Sequence, residues 1–185
     1  MRIETKRLYI RQMTDDDFDL MSLIWRDWIP AFLRDDETAC NGLCHKLWED
    51  NMKDPVTLTG MLFLRDGDRF CGRVNMQKID EEIPELGIDI LREYQNQGYG
   101  PEAIAAFVNW YGENNHISEV KVRITAANAR STHVFQRLGA QYMREDPSFF
   151  ASAKKLAEEL PEKREAIMRD LSVREYILKL PISYP

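Results

Sequence analysis

The feature that most constrains this chain is a glycine-containing turn between an apolar strand and a helix. The alternating pattern predicts a strand over Glu85 to Leu91, and the segment REYQNQGYGPEA follows from Arg92 to Ala103. Pro101 suits the first turn of a helix, where its missing N–H costs nothing. A loop with exposed backbone N–H groups directly before a helix N-terminus can bind a phosphate or pyrophosphate without a fixed side-chain charge. The turn is therefore interpreted either as an anion-binding loop or as an ordinary strand-to-helix connection.

Two familiar phosphate-binding motifs do not fit this turn. A nucleotide P-loop needs Lys and then Ser or Thr after its last glycine, whereas Pro101 and Glu102 follow Gly100. A dinucleotide fingerprint needs the spacing G-x-G-x-x-G and a ribose-binding acid, which this turn does not supply. An anion bound here would therefore be held by the loop backbone and the dipole of the helix behind it.

The remaining periodicity predicts a sheet interleaved with helices. Further strands are predicted over Ile3 to Met13, Val56 to Arg65, Phe70 to Ile79, Val120 to Thr125, Gln141 to Arg144 and Val173 to Leu180. Helices are predicted from Thr14, over Asp36 to Asn51, Pro101 to about Asn114, Asn128 to Leu138, and Pro147 to Leu171 with a break near Pro161. This order indicates one mixed α/β, or α+β, domain over residues 1–185, with a helical insertion over 145–172 before the last strand.

Composition narrows the class of partner. The chain has 25 basic and 31 acidic residues and a formal net charge of −6, which argues against nucleic acid and is compatible with a cationic substrate. The chain has no run of about 18 apolar residues, so no membrane span is predicted. Three cysteines without a signal-peptide core indicate free thiols in a cytoplasmic protein. Cys40, Cys44 and His45 are close in sequence, but a structural zinc site needs four ligands, so no metal is expected.

Four segments of the sequence resemble the motifs of one protein family. The turn QNQGYG at 95–100 resembles the acyl-CoA pyrophosphate loop of the GNAT acetyltransferase superfamily. The segment NARSTHVFQRLGA at 128–140 is similar to that superfamily's second signature, N-x-x-S followed by a helix and a glycine. The segments ETKRLYIR at 4–11 and PEA at 101–103 are similar to its ribosomal-protein and polyamine N-acetyltransferase branch. The resemblance covers about Ile3 to Met143.

The resemblance implies both a fold and a donor site. The expected fold is a GNAT-like single domain with a central, mostly antiparallel twisted sheet, a splayed parallel pair formed by Glu85–Leu91 and Val120–Thr125, and helices on both faces. Acetyl-CoA, as co-substrate, would lay its pantetheine arm in the gap and its pyrophosphate on the loop. The implied cofactor-binding residues are Ile88, Ile90, Gln95, Asn96, Gln97, Gly98, Tyr99, Gly100, Asn128 and Ser131.

The resemblance also implies transfer of an acetyl group to a primary amine, by direct attack on the thioester. Glu85 is the candidate base because it lies on the strand face opposite Leu86 and Ile90, and Asp89 on the same face is the alternative. The backbone N–H of Ile90 is the implied oxyanion donor.

The general acid is the point of departure from the family pattern. Phe135 stands where many family members place a Tyr, so Ser131, Tyr142 or a bound water remain as candidates for the acid.

The acceptor is less constrained than the donor. Trp25, Trp28, Phe32 and Trp48 form either a substrate pocket between the first helices or plain core. The acceptor is expected to be a small-molecule amine or a protein N-terminus, and a homodimer is a family-level implication. The helical segment 152–170 is a substrate lid, a dimer contact or a solvated face. The alternative function is a non-catalytic acyl-CoA-binding regulatory module, which the missing Tyr favours.

Overall fold

A computed structural model describes residues 1–29 and 31–184 of the chain, apart from the side chains of residues 31, 32 and 159. In this part of the chain eight strands form one sheet in the order β1-β2-β3-β4-β5-β6-β8-β7. The strands are β1 Arg2–Glu4, β2 Leu8–Gln12, β3 Thr57–Leu64, β4 Phe70–Gln77, β5 Glu85–Ile90, β6 Glu119–Thr125, β7 Gln141–Glu145 and β8 Val173–Lys179. Their pairing is antiparallel except between β5 and β6.

Three of the helices begin at polar caps that the sequence supplies. The helices are α1 Phe18–Trp28, α2 Ala31–Arg34, α3 Glu37–Lys53, α4 Tyr99–Asn115, α5 Ala129–Arg137, α6 Pro147–Glu159 and α7 Arg164–Leu171. The side chains of Asp36, Asn128 and Asp146 accept hydrogen bonds from backbone N–H groups in the first turns of α3, α5 and α6. Helices α6 and α7 occupy the segment predicted as an insertion, and they pack on each other around Ala153, Ala157 and Ile167.

The prediction of one strand over Ile3 to Met13 is wrong. A turn at Thr5 separates β1 from β2, and the two strands pair antiparallel. The Thr5 hydroxyl accepts a hydrogen bond from the Leu8 N–H at 2.8 Å, and the Thr5 N–H donates to the Leu8 carbonyl at 2.9 Å. These local bonds replace sheet pairing and reverse the chain.

Helices cover both faces of the central part of the sheet, where β3 and β4 are buried on both sides. In β3, Leu62 and Leu64 belong to a core formed with α4, α5 and the last strand, whereas Met61 and Phe63 belong to a second core formed with α1 and α3. Cys40 and Cys44 are buried in this second core. The architecture is the mixed α/β single domain that the sequence predicts.

The parallel pair β5–β6 is joined at one end and open at the other. Within the described residues these strands share one register pair, Glu85 with Lys121, and the Lys121 N–H donates to the Pro84 carbonyl at 2.9 Å. Both N–H and C=O of a strand residue point to the same side, and the side alternates along the strand. The backbone groups of Ile88 and Ile90 therefore point towards β6 without a sheet partner there.

A tight contact in β4 holds the open part of β5 in place. A Cβ atom added at Gly72 would lie 2.2 Å from the Asp89 carbonyl oxygen and 3.0 Å from the Ile90 Cα, and neither backbone atom can move freely. We expect Gly72→Ala to lower the free energy of unfolding by about 3 kcal/mol through overpacking. Urea denaturation measures the loss.

Gly42→Ala is the matched control, because a Cβ added at this helical position meets no atom within 4 Å. This control should be neutral or raise the free energy of unfolding by up to about 1 kcal/mol. Equal urea midpoints for the two variants would contradict the contact.

Candidate active site

A cavity of about 1010 Å³ lies beside the open edge of β5. Its walls are formed by β5, the turn that follows it, the first residues of α4, and α5. The end of α1 closes the far side with Ile24, Asp27 and Trp28. The cavity thus joins the splayed strand edge to the glycine turn.

The glycine turn presents backbone N–H groups to this cavity. Asn96 and Gly98 both adopt the left-handed conformation, with φ of 61° and 80°, so the chain reverses just before α4 begins at Tyr99. Gly98, Tyr99 and Gly100 line the cavity, and the first N–H groups of a helix have no partner within the helix. Together with the helix dipole, this arrangement suits a phosphate group.

The edge of β5 and the turn are tied together by a side chain. The Gln95 carboxamide donates to the Ile90 carbonyl at 2.8 Å, and its oxygen accepts a hydrogen bond from the Arg130 guanidinium of α5. This chain of contacts crosses the cavity from β5 to α5. The Ile90 N–H, on the same strand edge, is left for a ligand.

The first turn of α5 brings two predicted residues to the cavity. Asn128 accepts a hydrogen bond from the Ser131 N–H at 3.0 Å, so the carboxamide caps the helix. Both residues line the cavity, where the Ser131 hydroxyl could give a proton or a hydrogen bond, as could the hydroxyls of Tyr94 and Tyr99. The buried Phe135 lines the same wall and has no proton to give.

Positive charge in the cavity was missed by the sequence analysis. Arg92, Arg130 and Arg137 all line it, and they would offset the charge of a phosphorylated ligand. Arg130 lies inside the motif N-x-x-S, so its place beside the cavity could have been predicted from the sequence. The places of Arg92 and Arg137 could not, because their approach depends on how the turn and α5 fold over β5.

Two carboxylates on β5 have different surroundings. Asp89 lines the cavity, and its carboxylate lies 2.9 Å from the Arg73 Nε with about a quarter of the side chain exposed. Glu85 does not line the cavity. Its buried carboxylate accepts a hydrogen bond from the Arg123 Nε at 2.7 Å.

The second oxygen of Glu85 is less well paired. Its Oε2 lies 3.3 Å from the Lys78 Nζ, an ion-pair distance at an angle unsuitable for a hydrogen bond. It therefore has no hydrogen-bond partner among the residues the structure describes. Arg123 also reaches the Asp146 carboxylate at 3.4 Å, so Glu85 belongs to a network that extends to the start of α6.

Two other predicted site residues lie away from the cavity. Tyr142 is exposed on β7 and contacts Tyr176, and β8 and β6 separate its strand from β5. Gln97 turns outwards, because its carboxamide donates to the Glu93 carbonyl and its own carbonyl accepts from Arg7. The other predicted cofactor-binding residues, Ile88, Ile90, Gln95, Asn96, Gly98, Tyr99, Gly100, Asn128 and Ser131, all line the cavity.

The tryptophans divide between core and cavity. Trp25 is buried and contacts Trp48 edge to face, with 6.3 Å between ring centroids. Trp28 is half exposed, lines the cavity and lies 4.9 Å beneath the Arg73 guanidinium. The side chain of Phe32 lies outside the described part of the structure. The end of α1 therefore adds an aromatic face and the Asp27 carboxylate to the cavity.

Comparison with protein families identifies the class. Residues 7–141 match the model of the acetyltransferase (GNAT) domain. This span is well over half of the chain, and the chain belongs to the GNAT acetyltransferase family. Acetyl transfer is the general activity that this membership supports. No curated protein sequence matches the chain.

Solved structures share the fold at low sequence identity. A putative ribosomal-protein-serine acetyltransferase from Vibrio cholerae is 18% identical, with a TM-score of 0.65 over 97% of each chain. A variant of a spermidine N-acetyltransferase from Vibrio cholerae is 13% identical, with a TM-score of 0.67 over 95% of each chain. A GNAT-family acetyltransferase from Bacillus anthracis is 16% identical, with a TM-score of 0.65 over 97% of this chain and 98% of that chain. These likenesses concern the fold.

The described residues provide neither a cluster of metal ligands nor a membrane-spanning helix. In that part of the chain, no three His, Cys, Asp or Glu side chains converge as ligands for a metal ion. None of the described helices has the length and apolar character needed to cross a membrane.

Proposed function

We propose that the protein transfers an acetyl group from acetyl-CoA to a primary amine. The observation that carries the proposal is the open β5 edge, whose backbone groups at Ile88 and Ile90 have no sheet partner on the β6 side within the described residues, leading directly to the glycine turn at the start of α4. Acetyl-CoA has an extended pantetheine arm with amide groups, followed by a pyrophosphate. The arm would lie along the β5 edge and the pyrophosphate on the glycine turn. Family membership supports the acetyl donor.

The residues of the cavity fit this donor. The backbone groups of Ile88 and Ile90 would pair with the pantetheine arm as a missing strand would. The N–H groups of Gly98, Tyr99 and Gly100 would hold the pyrophosphate, with Arg130 close by. Bound acetyl-CoA would supply the acetyl group as a thioester.

The chain would promote the transfer mainly with hydrogen-bond donors at the two atoms on which negative charge develops, the acetyl oxygen and the departing sulfur. The N–H groups of Ile88 and Ile90 both point into the gap between β5 and β6. One of them would donate a hydrogen bond to the acetyl oxygen as negative charge develops on it, a role for which the family resemblance implies Ile90, and the other would pair with the pantetheine arm. The Ser131 hydroxyl is the cavity group that would donate to the departing sulfur. Tyr142 stays a prediction from the sequence, and its exposed place on β7 gives this role no support.

An amine must lose a proton before it attacks, and the structure favours Asp89 for this step. Asp89 is next to Ile90 and lines the cavity, whereas Glu85 lies five residues from Ile90, or about 17 Å along the strand. An arginine holds each carboxylate, Arg73 for Asp89 and Arg123 for Glu85, so the place of Asp89 beside the cavity is what favours it. Glu85 would need a chain of water molecules to reach the amine, and its role as base remains the alternative.

The acceptor side of the cavity suits a cationic molecule. Asp27, Asp89 and Trp28 can attract an ammonium group. An acceptor cation would share them with arginines of the chain, because Arg92 lies 3.8 Å from Asp27 and Arg73 pairs with Asp89 and lies over Trp28. The two carboxylates and the aromatic ring support a small-molecule amine or a protein N-terminus as acceptor. One of the similar structures is a spermidine N-acetyltransferase. A cytoplasmic location and a homodimer are further proposals, of which the three free cysteines support the first.

The test is release of free thiol from acetyl-CoA in the presence of polyamines, aminoglycosides, amino acids or peptides with free N-termini. We expect turnover with at least one class of amine. Binding of acetyl-CoA without turnover on any amine would favour the non-catalytic acyl-CoA-binding module. No binding at all would contradict the proposal.

A further inference from the structure

The glycine turn is held from its outer side by one arginine. Arg7, just after the turn between β1 and β2, donates through Nη1 to the Gln97 carbonyl at 2.8 Å and lies 4.6 Å above the Tyr99 ring. Its Nε donates to the Glu102 carboxylate at 2.6 Å. Arg7 and Glu102 line a second cavity of about 480 Å³, so this contact lies on the opposite side of the turn from the donor cavity.

Glu102 is fixed by its own contacts, and this fixes Arg7 in turn. Besides Arg7 Nε, the carboxylate accepts the Thr5 hydroxyl at 2.6 Å and the Arg7 N–H at 2.9 Å, and its side chain is only 7% exposed. Burial opposes the charge on Glu102, but the hydrogen bonds from Thr5 and Arg7 keep the pKa of Glu102 below its ordinary value. The Glu102 carboxylate therefore balances the charge of Arg7. Arg7 acts on the turn through the hydrogen bond that orients the Gln97 carbonyl.

The planarity of the peptide group carries this geometry to the other side of the turn. In a trans peptide the C=O and the following N–H point in opposite directions. Because Arg7 holds the Gln97 carbonyl outwards, the Gly98 N–H points towards the donor cavity. The Tyr184 hydroxyl adds to this one residue later, since it donates to the Gly98 carbonyl at 3.3 Å. The same carbonyl accepts the Glu102 N–H of α4 at 3.4 Å, and the two contacts together orient the Tyr99 N–H.

We propose that Arg7 is a positioning residue, which presets the N–H groups of Gly98 and Tyr99 for the pyrophosphate of acetyl-CoA. The inference rests on the proposed function. A turn that is already ordered binds its ligand without the cost of ordering it. Such a contribution is equal in the ground state and the transition state, so it changes acetyl-CoA affinity and leaves kcat unchanged.

The test replaces the arginine but keeps its charge. In Arg7→Lys the single ammonium can pair with Glu102 but cannot also hold the Gln97 carbonyl and stack on Tyr99. We expect the Kd and KM for acetyl-CoA to rise about tenfold, with kcat within about twofold of wild type at saturation. Isothermal titration and steady-state kinetics give these values, and urea denaturation checks the fold.

Arg65→Lys is the matched control. The Arg65 guanidinium donates to the Thr5 carbonyl at 2.9 Å, so it holds the same turn between β1 and β2, and the Gln97 carbonyl is bound by Arg7 instead. This variant should bind acetyl-CoA as wild type does. Tyr184→Phe is the second variant, because it removes only one hydroxyl, and it should raise the Kd about threefold.

The outcomes separate the two proposals. Wild-type affinity in a folded Arg7→Lys variant overturns the positioning role, whatever the Kd of Tyr184→Phe, and leaves the proposed function standing. A fall in kcat with unchanged Kd also overturns it. If Arg7→Lys does not fold, the Kd of Tyr184→Phe decides alone. A wild-type protein that does not bind acetyl-CoA overturns the proposed function, and the positioning role with it.

Discussion

Gly100→Glu is expected to weaken acetyl-CoA binding at least about 100-fold, or about 2.7 kcal/mol. A Cβ atom added at Gly100 would lie 3.8 Å from the Ile90 Cγ1, so a side chain here projects into the donor cavity towards β5. Its carboxylate would occupy the place where the helix N–H groups meet the pyrophosphate. Isothermal titration with acetyl-CoA measures the loss.

The fold of this variant should be intact. Gly100 has an ordinary helical conformation in the first turn of α4, where a negative charge stabilises a helix. Two controls separate the causes. Gly100→Ala adds a methyl group at ordinary contact distance and should bind acetyl-CoA within about threefold of wild type. Gly42→Glu adds the same charge on α3, outside the cavity lining, and should bind as wild type does. Tight binding by Gly100→Glu would mean that the turn does not hold the donor.

Asp89→Asn is expected to lower kcat about 100-fold, as loss of a general base does. Asn keeps an oxygen that can accept from the Arg73 Nε, so Arg73 keeps this hydrogen bond. The Kd for acetyl-CoA should stay within about twofold, because the change removes a proton acceptor and no donor contact. Single-turnover kinetics and titration calorimetry measure the two quantities.

Glu85→Gln is the comparison that decides between the two carboxylates. The change leaves Arg123 with Asp146 as its remaining carboxylate partner, and the Gln oxygen can still accept from Arg123. It should therefore lower the free energy of unfolding by only about 1 kcal/mol. We expect its kcat to stay within about tenfold of wild type. A 100-fold loss in Glu85→Gln together with near-normal turnover in Asp89→Asn would make Glu85 the base, acting through water.

Local patterns were enough to predict the strand and the helix on either side of the glycine turn. The alternation in β5 and the amphipathic face of α4 depend on residues close in sequence, and both elements lie within two residues of their predicted bounds. The motif N-x-x-S also marked the cap at Asn128 and the place of Ser131 beside the cavity.

Contacts between distant residues could not be predicted in this way. Glu85 pairs with Arg123, which is 38 residues away, and only the sheet register brings them together. Tyr142 lies far from the cavity because β8 enters the sheet between β6 and β7, an order that no local pattern encodes. Arg7 approaches the glycine turn because the Thr5 hydroxyl reverses the first strand.

The measurement that tests the central claim most directly is a crystal structure of the protein with acetyl-CoA. We expect pyrophosphate oxygens within about 3.2 Å of the N–H nitrogens of Gly98, Tyr99 and Gly100. The pantetheine amides should pair with the backbone of Ile88 and Ile90 in the gap between β5 and β6. A donor bound elsewhere, with the edge of β5 free and the glycine turn empty, would contradict the account.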